Sequence, residues 1–252
     1  MAKYYNRPEP LSFTNLDGDR ITSWVEWEET YHDIPRHYVA DRDGDSVGEF
    51  IKECGGDKIL ADRAAMLLKE PVFVQESTPG LDVPFGSYGG SRHHDLAIYG
   101  RGEDSGKSVF IGVETRFDEP FGDSVQDVHD SAMAQRAAGV ATDTPDRLDE
   151  LLGRYFKTRP DAETLSKMND QLLSAVAGTL EVGAALSVLY IIVFRTPRHE
   201  SKVLEQNHRD FRTFMQLTGA TDEGYGNPGW AYKMSVGDKD LYCIYEYFDY
   251  DT

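Results

Sequence analysis

The segment that most constrains the fold is Leu186-Ser-Val-Leu-Tyr-Ile-Ile-Val-Phe194. It is nearly continuous in apolar residues, rich in β-branched ones, and shows no polar–apolar alternation. Such a run reads as a strand covered on both faces. A strand of that kind needs helices on both sides of its sheet, so the chain is expected to be α/β with a mixed central sheet flanked by helices. The apolar stretch Ala184–Phe194 is about half the ~20 residues of a membrane span, and the first residues, Met-Ala-Lys-Tyr-Tyr-Asn-Arg-Pro, lack the apolar core of a secretion signal. A cytoplasmic chain with no membrane contact is therefore expected.

With 252 residues, no internal repeat and no clear linker, a single α/β domain is expected over 1–252. It divides into an extension (1–45), a core (46–220) and a carboxy-terminal β-hairpin (221–252). Aromatic and acidic residues alternate near Trp24 and Trp27, which predicts a helix over 21–32. Ser46 and Glu49 have capping-box spacing, opening a short helix that closes at Gly55-Gly56. Helices are further expected over 57–69, 147–156, 161–181 and 200–217, the third N-capped by Asp161. Strands are expected at 71–75, 95–99, 109–116 and 186–194. Four glycines and two prolines predict a loop over 77–92. Gly237-Asp238 marks a hairpin turn between 230–236 and 241–248.

Composition removes several functional classes. Forty-four acids against 26 bases give a net charge of −18, which excludes a globally basic nucleic-acid glove and a polybasic membrane anchor. Two cysteines, Cys54 and Cys243, exclude a disulfide scaffold. Asp41-x-Asp43-x-Asp45 opens like a calcium loop but carries Lys52 where the bidentate Glu belongs. His93 and His94 are adjacent, so on a strand they leave opposite faces and cannot readily share one ion. Neither a P-loop, nor a dinucleotide fingerprint, nor a nucleophile elbow is present.

One constellation remains. Asp95 opens one expected strand, and Glu114 and Arg116 lie near the end of the next. Residues two apart on a strand share a face. Glu114 and Arg116 therefore go with Phe110 and Gly112, while Val109, Ile111 and Val113 go to the other face. If the two strands form a hairpin, Asp95 lies beside Glu114. Two adjacent carboxylates favour a bound divalent cation, which can clamp a phosphate and activate water. The competing reading is a structural ion-pair cluster of Asp95, Glu114 and Arg116.

Asp95, an 18-residue gap, then Glu114-Thr-Arg116 resembles the signature of the PD-(D/E)xK nuclease superfamily. The expected helix, three strands, helix and strand also follow the order of its core. Glu114-Thr-Arg-Phe-Asp-Glu-Pro-Phe-Gly122 is similar to the E-G-K-V-D-E-x-F-G stretch of a bacterial restriction-endonuclease-like family. Arg147-Leu-Asp-Glu-Leu-Leu-Gly153, Gln171-Leu-Leu173 and the Phe211–Ala220 stretch add to that likeness. The resemblance implies a restriction-endonuclease-like core and a Mg2+- or Mn2+-dependent phosphodiester hydrolase. Asp95 and Glu114 would be the metal ligands, Arg116 would hold the phosphate, and Gln171 would face the site from its helix. Glu49 resembles the first-helix Glu that some members add to the metal site. The motif's lysine is Arg116 here, and a guanidinium cannot serve as a base. The alternative is a non-catalytic binding or assembly module on the same fold. A nucleic-acid partner would require Arg92, Arg101, Arg116, Arg195 and Arg198 to converge in a local basic groove, and the resemblance implies a homodimer of the kind common among superfamily nucleases that cut both strands.

Overall fold

The computed structural model describes residues 13–14, 20–21, 56–117, 119–156, 158–195, 201–224 and 229–249. The expected helix over 21–32, apart from Ile21, the Ser46–Glu49 capping box, the Asp41–Asp45 motif and Cys54 lie outside these residues. Phe13–Thr14 (β1) and Arg20–Ile21 (β2) pair as a two-stranded sheet.

Seven strands form the main sheet. In chain order they are Val72–Phe85 (β3), Gly90–Gly102 (β4), Ser108–Phe117 (β5), Leu186–Arg195 (β6), Thr221–Asp222 (β7), Trp230–Val236 (β8) and Lys239–Asp249 (β9). Their spatial order is β3-β4-β5-β6-β9-β8-β7. β3, β4 and β5 form an antiparallel meander, and β5, β6 and β9 run parallel. Helix Gly56–Leu68 (α1) precedes the meander. Between β5 and β6 the chain passes through Val125–Ala137 (α2), Thr144–Tyr155 (α3), Ala162–Leu165 (α4) and Asp170–Glu181 (α5), and Ser201–Leu217 (α6) follows β6. This mixed sheet flanked by helices is consistent with a restriction-endonuclease-like α/β core, as expected from the sequence.

Two apolar layers sandwich the sheet. On one face Leu60, Ala61 and Ala64 of α1 pack on Leu96, Ile98, Val109, Ile111, Val113, Val188 and Ile192. On the other, Leu172, Leu173 and Val176 of α5 and Phe211 and Phe214 of α6 pack on Leu189, Ile191, Val193 and Tyr245. β6 contributes alternate residues to both layers, so its unbroken apolar sequence follows directly from its central place.

The strands at 95–99 and 109–116 are antiparallel neighbours, as the spacing predicts, with Leu96 opposite Val113 and Ile98 opposite Ile111. Two expectations differ. The predicted loop over 77–92 is a long β-hairpin, turning only at 86–89. Its prolines are compatible with strand structure because β3 is the sheet edge, where one row of N–H groups needs no partner. Gly86 and Gly89 take positive φ in the turn. The predicted helix over 161–181 is broken into α4 and α5. Asp161 does cap α4, accepting from Thr164 N at 2.8 Å. Asn169 then caps α5, accepting from Gln171 N at 3.0 Å while its Nδ2 donates to Gly122 O at 3.0 Å. Met168 O accepts from Val125 N, so the break ties the segment to the start of α2.

Candidate functional site

The face of β4 and β5 beneath α5 gathers a cluster of buried polar side chains. Arg92 and His94 come from β4, Glu114 and Arg116 from β5. Asp170, Gln171, Ser174 and Thr179 come from α5. Two glycines make the room. A Cβ at Gly112 would lie 2.8 Å from His94 Cε1, and one at Gly178 would lie 2.5 Å from Arg92 Cβ. No methyl group fits at either position without displacing the neighbouring side chain. Large polar side chains on β4 thus require these two glycines on the elements facing them.

Glu114 is the centre, at 2% exposure. Arg92 Nε donates to Glu114 Oε1 at 2.8 Å, and Arg92 Nη2 donates to Oε2, giving a two-pronged clamp. His94, fully buried, places Nδ1 2.9 Å from Glu114 Oε1. Burial, reinforced by Arg92 and His93, pushes the His94 imidazole down to about 3, so it is neutral and Nδ1 carries the proton donated to Glu114. His93 turns the other way, to Asp82 at 2.9 Å. The neighbouring histidines therefore diverge, as strand geometry predicts.

Arg116 lies on the same face as Glu114, at 8% exposure. Its Nη2 donates to Gln171 Oε1 and its Nη1 to Thr115 O at 2.9 Å. Glu119 lies 3.7 Å from Nη1, and the guanidinium sits 5.1 Å from the Phe121 ring centroid. Gln171, singled out from the sequence, thus meets Arg116 directly.

Asp95 goes elsewhere. The β4–β5 register ends at Leu96–Val113, one step short of setting Asp95 opposite Glu114. The Asp95 carboxylate accepts instead from Thr115 N at 2.6 Å and Thr115 Oγ1 at 2.8 Å, taking the place of a backbone acceptor in the ladder. Thr115 leaves β5 on the opposite face from Glu114. The reason is local. Arg92 and His94 face α5, whereas Leu96 and Ile98 face α1, so the alternation of faces reverses around Asp95. Gly80, lying between the partners of His94 and Leu96 on β3, has φ 65°, a left-handed conformation that costs any residue with a Cβ. Nothing in the period-two pattern announces this reversal. The glycine is its only sequence mark.

A divalent cation needs carboxylate oxygens open to it. Both Glu114 oxygens are engaged by Arg92 and His94, and Asp95 Oδ2 is engaged by Thr115. As placed, Asp95 and Glu114 do not fit a shared Mg2+ or Mn2+. Among the described residues, no three His, Cys, Asp or Glu side chains are grouped to hold a metal ion.

Of the five arginines expected to converge, Arg92 and Arg116 meet at this face. Arg101 is exposed near the far end of β4, about 30 Å along the strand from Arg92 at ~3.3 Å per residue. The Arg195 side chain, Arg198 and Glu49 lie outside the described residues. Among the described residues no helix is long and apolar enough to cross a membrane.

Sequence reading missed Asp170 and Arg147 as members of this region. Burial pushes the Asp170 carboxyl up, while Arg147 and Arg92 pull it down. A first-turn Asp is so common a helix feature that its type alone carries no signal.

No curated protein and no solved structure matches the chain. A family model described as a domain of unknown function, DUF6946, matches residues 20–245. With most of its length covered, the chain belongs to the DUF6946 family.

Proposed function

We propose that this protein is a non-catalytic binding or assembly module on a restriction-endonuclease-like fold. The observation that carries this reading is the Arg92–Glu114–His94 cluster. The carboxylate at the place of a metal ligand is buried and satisfied by a guanidinium fork and an imidazole. A buried pair of this kind fixes geometry more than it adds stability. The test is titration of Mg2+ and Mn2+ by calorimetry into the wild type, Asp95→Ala and Glu114→Gln. Cleavage of single- and double-stranded DNA and RNA is assayed alongside. The module reading expects no heat of binding and no cleavage above the two variants.

A second reading is a Mg2+-dependent phosphodiester hydrolase with a Lys-to-Arg motif. The placement of Arg116 and Gln171 beside Glu114 under one helix favours it. It would require Arg92 to leave Glu114 and Asp95 to turn from Thr115. Wild-type cleavage that Asp95→Ala and Glu114→Gln both abolish would establish this reading in place of the first.

A further inference from the structure

The β3–β4 hairpin outruns the sheet that carries it. β4 pairs with β5 from Arg101–Ser108 to Leu96–Val113, whereas β3 and β4 stay paired from Leu81–His94 out to Phe85–Gly90. Residues 81–94 are therefore a two-stranded arm beyond the β4–β5 ladder. Side chains join it to β5. Arg92 and His94 reach Glu114, and at the root Asp95 accepts from Thr115 N and Oγ1. The root also breaks the hairpin's own register. Pairing passes from Pro79–Leu96 to Leu81–His94, skipping Gly80 and Asp95, and Gly80 holds φ at 65°. An irregularity on both strands beside a glycine is where a hairpin bends most readily. The tip is fastened to α3. Ser87 N donates to Glu150 Oε2 at 2.7 Å and Ser87 Oγ to Oε1 at 3.3 Å, while Arg154 Nη2 donates to the same carboxylate at 3.1 Å. The fit is close, since a Cβ at Gly86 would lie 3.0 Å from Glu150 Oε2 and one at Gly90 2.7 Å from Arg147 Cδ. Between root and tip, Val83 and Phe85 are buried and Asp82 and Pro84 exposed, so the arm has an inner and an outer face.

We propose that residues 81–94 form a hinged arm that bends at Gly80 and Asp95, is latched at its tip by Glu150, and carries Arg92 and His94 off Glu114 when it swings. The inference goes beyond the module reading and does not depend on it, because it concerns how Glu114 is uncovered rather than what Glu114 then meets. With the arm seated, the Glu114 carboxylate is covered. With the arm lifted, it faces solvent while β5, β6 and β9 keep their pairing. Lifting breaks no ladder bond to β5, so it is a smaller event than global unfolding, and binding segments are drawn from such low-stability units. Burial of Phe85 and the contacts Ser87–Glu150 and Arg92–Glu114 keep the closed form dominant.

The experiment is labelling of the native full-length chain with a thiol-reactive aromatic disulfide, in a Cys54→Ser/Val83→Cys background. Val83 lies on the inner face of the arm opposite Arg92, and fully buried Cys243 reports global unfolding. The thiol at position 83 should label at least about ten-fold faster than Cys243. Adding Glu150→Gln should speed it roughly ten-fold, through the weakened hydrogen bonds at the tip, and Arg92→Gln should speed it at least as much. Both changes also lower global stability, so Cys243 speeds up with them. Ile111→Ala, outside the arm, should speed Cys243 alone. Equal labelling of the two thiols overturns the proposal, because the arm then opens only with the whole domain. So does Ile111→Ala speeding both alike. A rate at position 83 that ignores Glu150→Gln overturns it by removing the latch. Arg92→Gln speeding Cys243 but not position 83 also overturns it, because the arm then opens without taking Arg92 from Glu114. Arg92→Lys, which keeps the charge and loses the fork, replaces Arg92→Gln if the latter does not fold. The metal titrations bear on the module reading alone, so either can fail without the other.

Discussion

The two faces of β5 solve the same packing problem with different chemistry. Val109, Ile111 and Val113 meet α1 through aliphatic contact alone. One residue along in each case, the other face carries a ring at Phe110, a gap at Gly112 and a buried charge at Glu114. The first face gains free energy with every methylene removed from water, ~0.8 kcal/mol each. The second must first desolvate Arg92 and Glu114, and their attraction roughly offsets that cost. The apolar face therefore supplies stability, and the polar face supplies a single permitted arrangement. A cluster that contributes little net stability yet fills the middle of a domain is the natural place to look for function.

The largest expected effect comes from cutting the polar face in half. Arg92→Ala leaves Glu114 buried with only a neutral imidazole, and urea unfolding should show a loss of ~3–5 kcal/mol. Arg92→Leu with Glu114→Leu should cost less than Arg92→Ala alone. If the double change is the worse of the two, the polar face is a true source of stability and the contrast fails.

Next is Ile111→Ala on the apolar face, expected to cost about 2–5 kcal/mol in the same measurement, through lost burial and a cavity. Its neighbour Gly112→Ala adds one methyl on the other face, where His94 and the Thr179 hydroxyl already touch the vacant position. A loss of ~1–3 kcal/mol is expected from that overpacking. No loss at Gly112 would mean that His94 has room to move, and the view of a rigid polar face would be wrong.

The smallest effect at neutral pH concerns His94, whose folded value of about 3 lies below its ordinary 6.5. Below pH 6.5 the unfolded chain takes up a proton there that the folded protein refuses, so this residue's stabilisation is complete above 6.5 and drains away as pH falls toward 3. Asp170, raised from 3.8, works with the opposite sign, stabilising at low pH and losing that contribution as pH rises. Urea midpoints for wild type and His94→Gln should therefore run parallel above pH 6.5 and converge or cross below it. Parallel curves down to pH 4 would show that His94 titrates as freely as an exposed imidazole.

The same contrast explains what could be read from the chain. β6 and the apolar rows of β5 were legible because burial on two faces writes an unbroken hydrophobic run. Gln171 and Arg116 meet each other, and the direction of both is readable because each lies in a regular element whose period fixes it. Asp95 misleads because the reversal around Gly80 sends it to Thr115, and a single glycine among the four of that stretch does not stand out. The same glycines and two prolines hid the β3–β4 hairpin, whose edge position makes them tolerable. Asn169 begins a new helical segment, capping Gln171 N while its Nδ2 is anchored to Gly122, and a contact distant in sequence leaves no mark on periodicity.

The parallel pairing of β5 with β6 carries a consequence for the order of assembly. The β3–β4–β5 meander joins near neighbours and can form early. β6 must wait until the long stretch between Phe117 and Leu186 has closed on itself, and non-local pairings of that kind slow folding. Arg92 and Glu114 can already meet in water across the early meander. α5 belongs to the late stretch, and only its docking, with Gly178 fitting over the Arg92 stem, takes most of the water from the pair. The costly desolvation is thereby postponed to a moment when the geometry it demands has already been built.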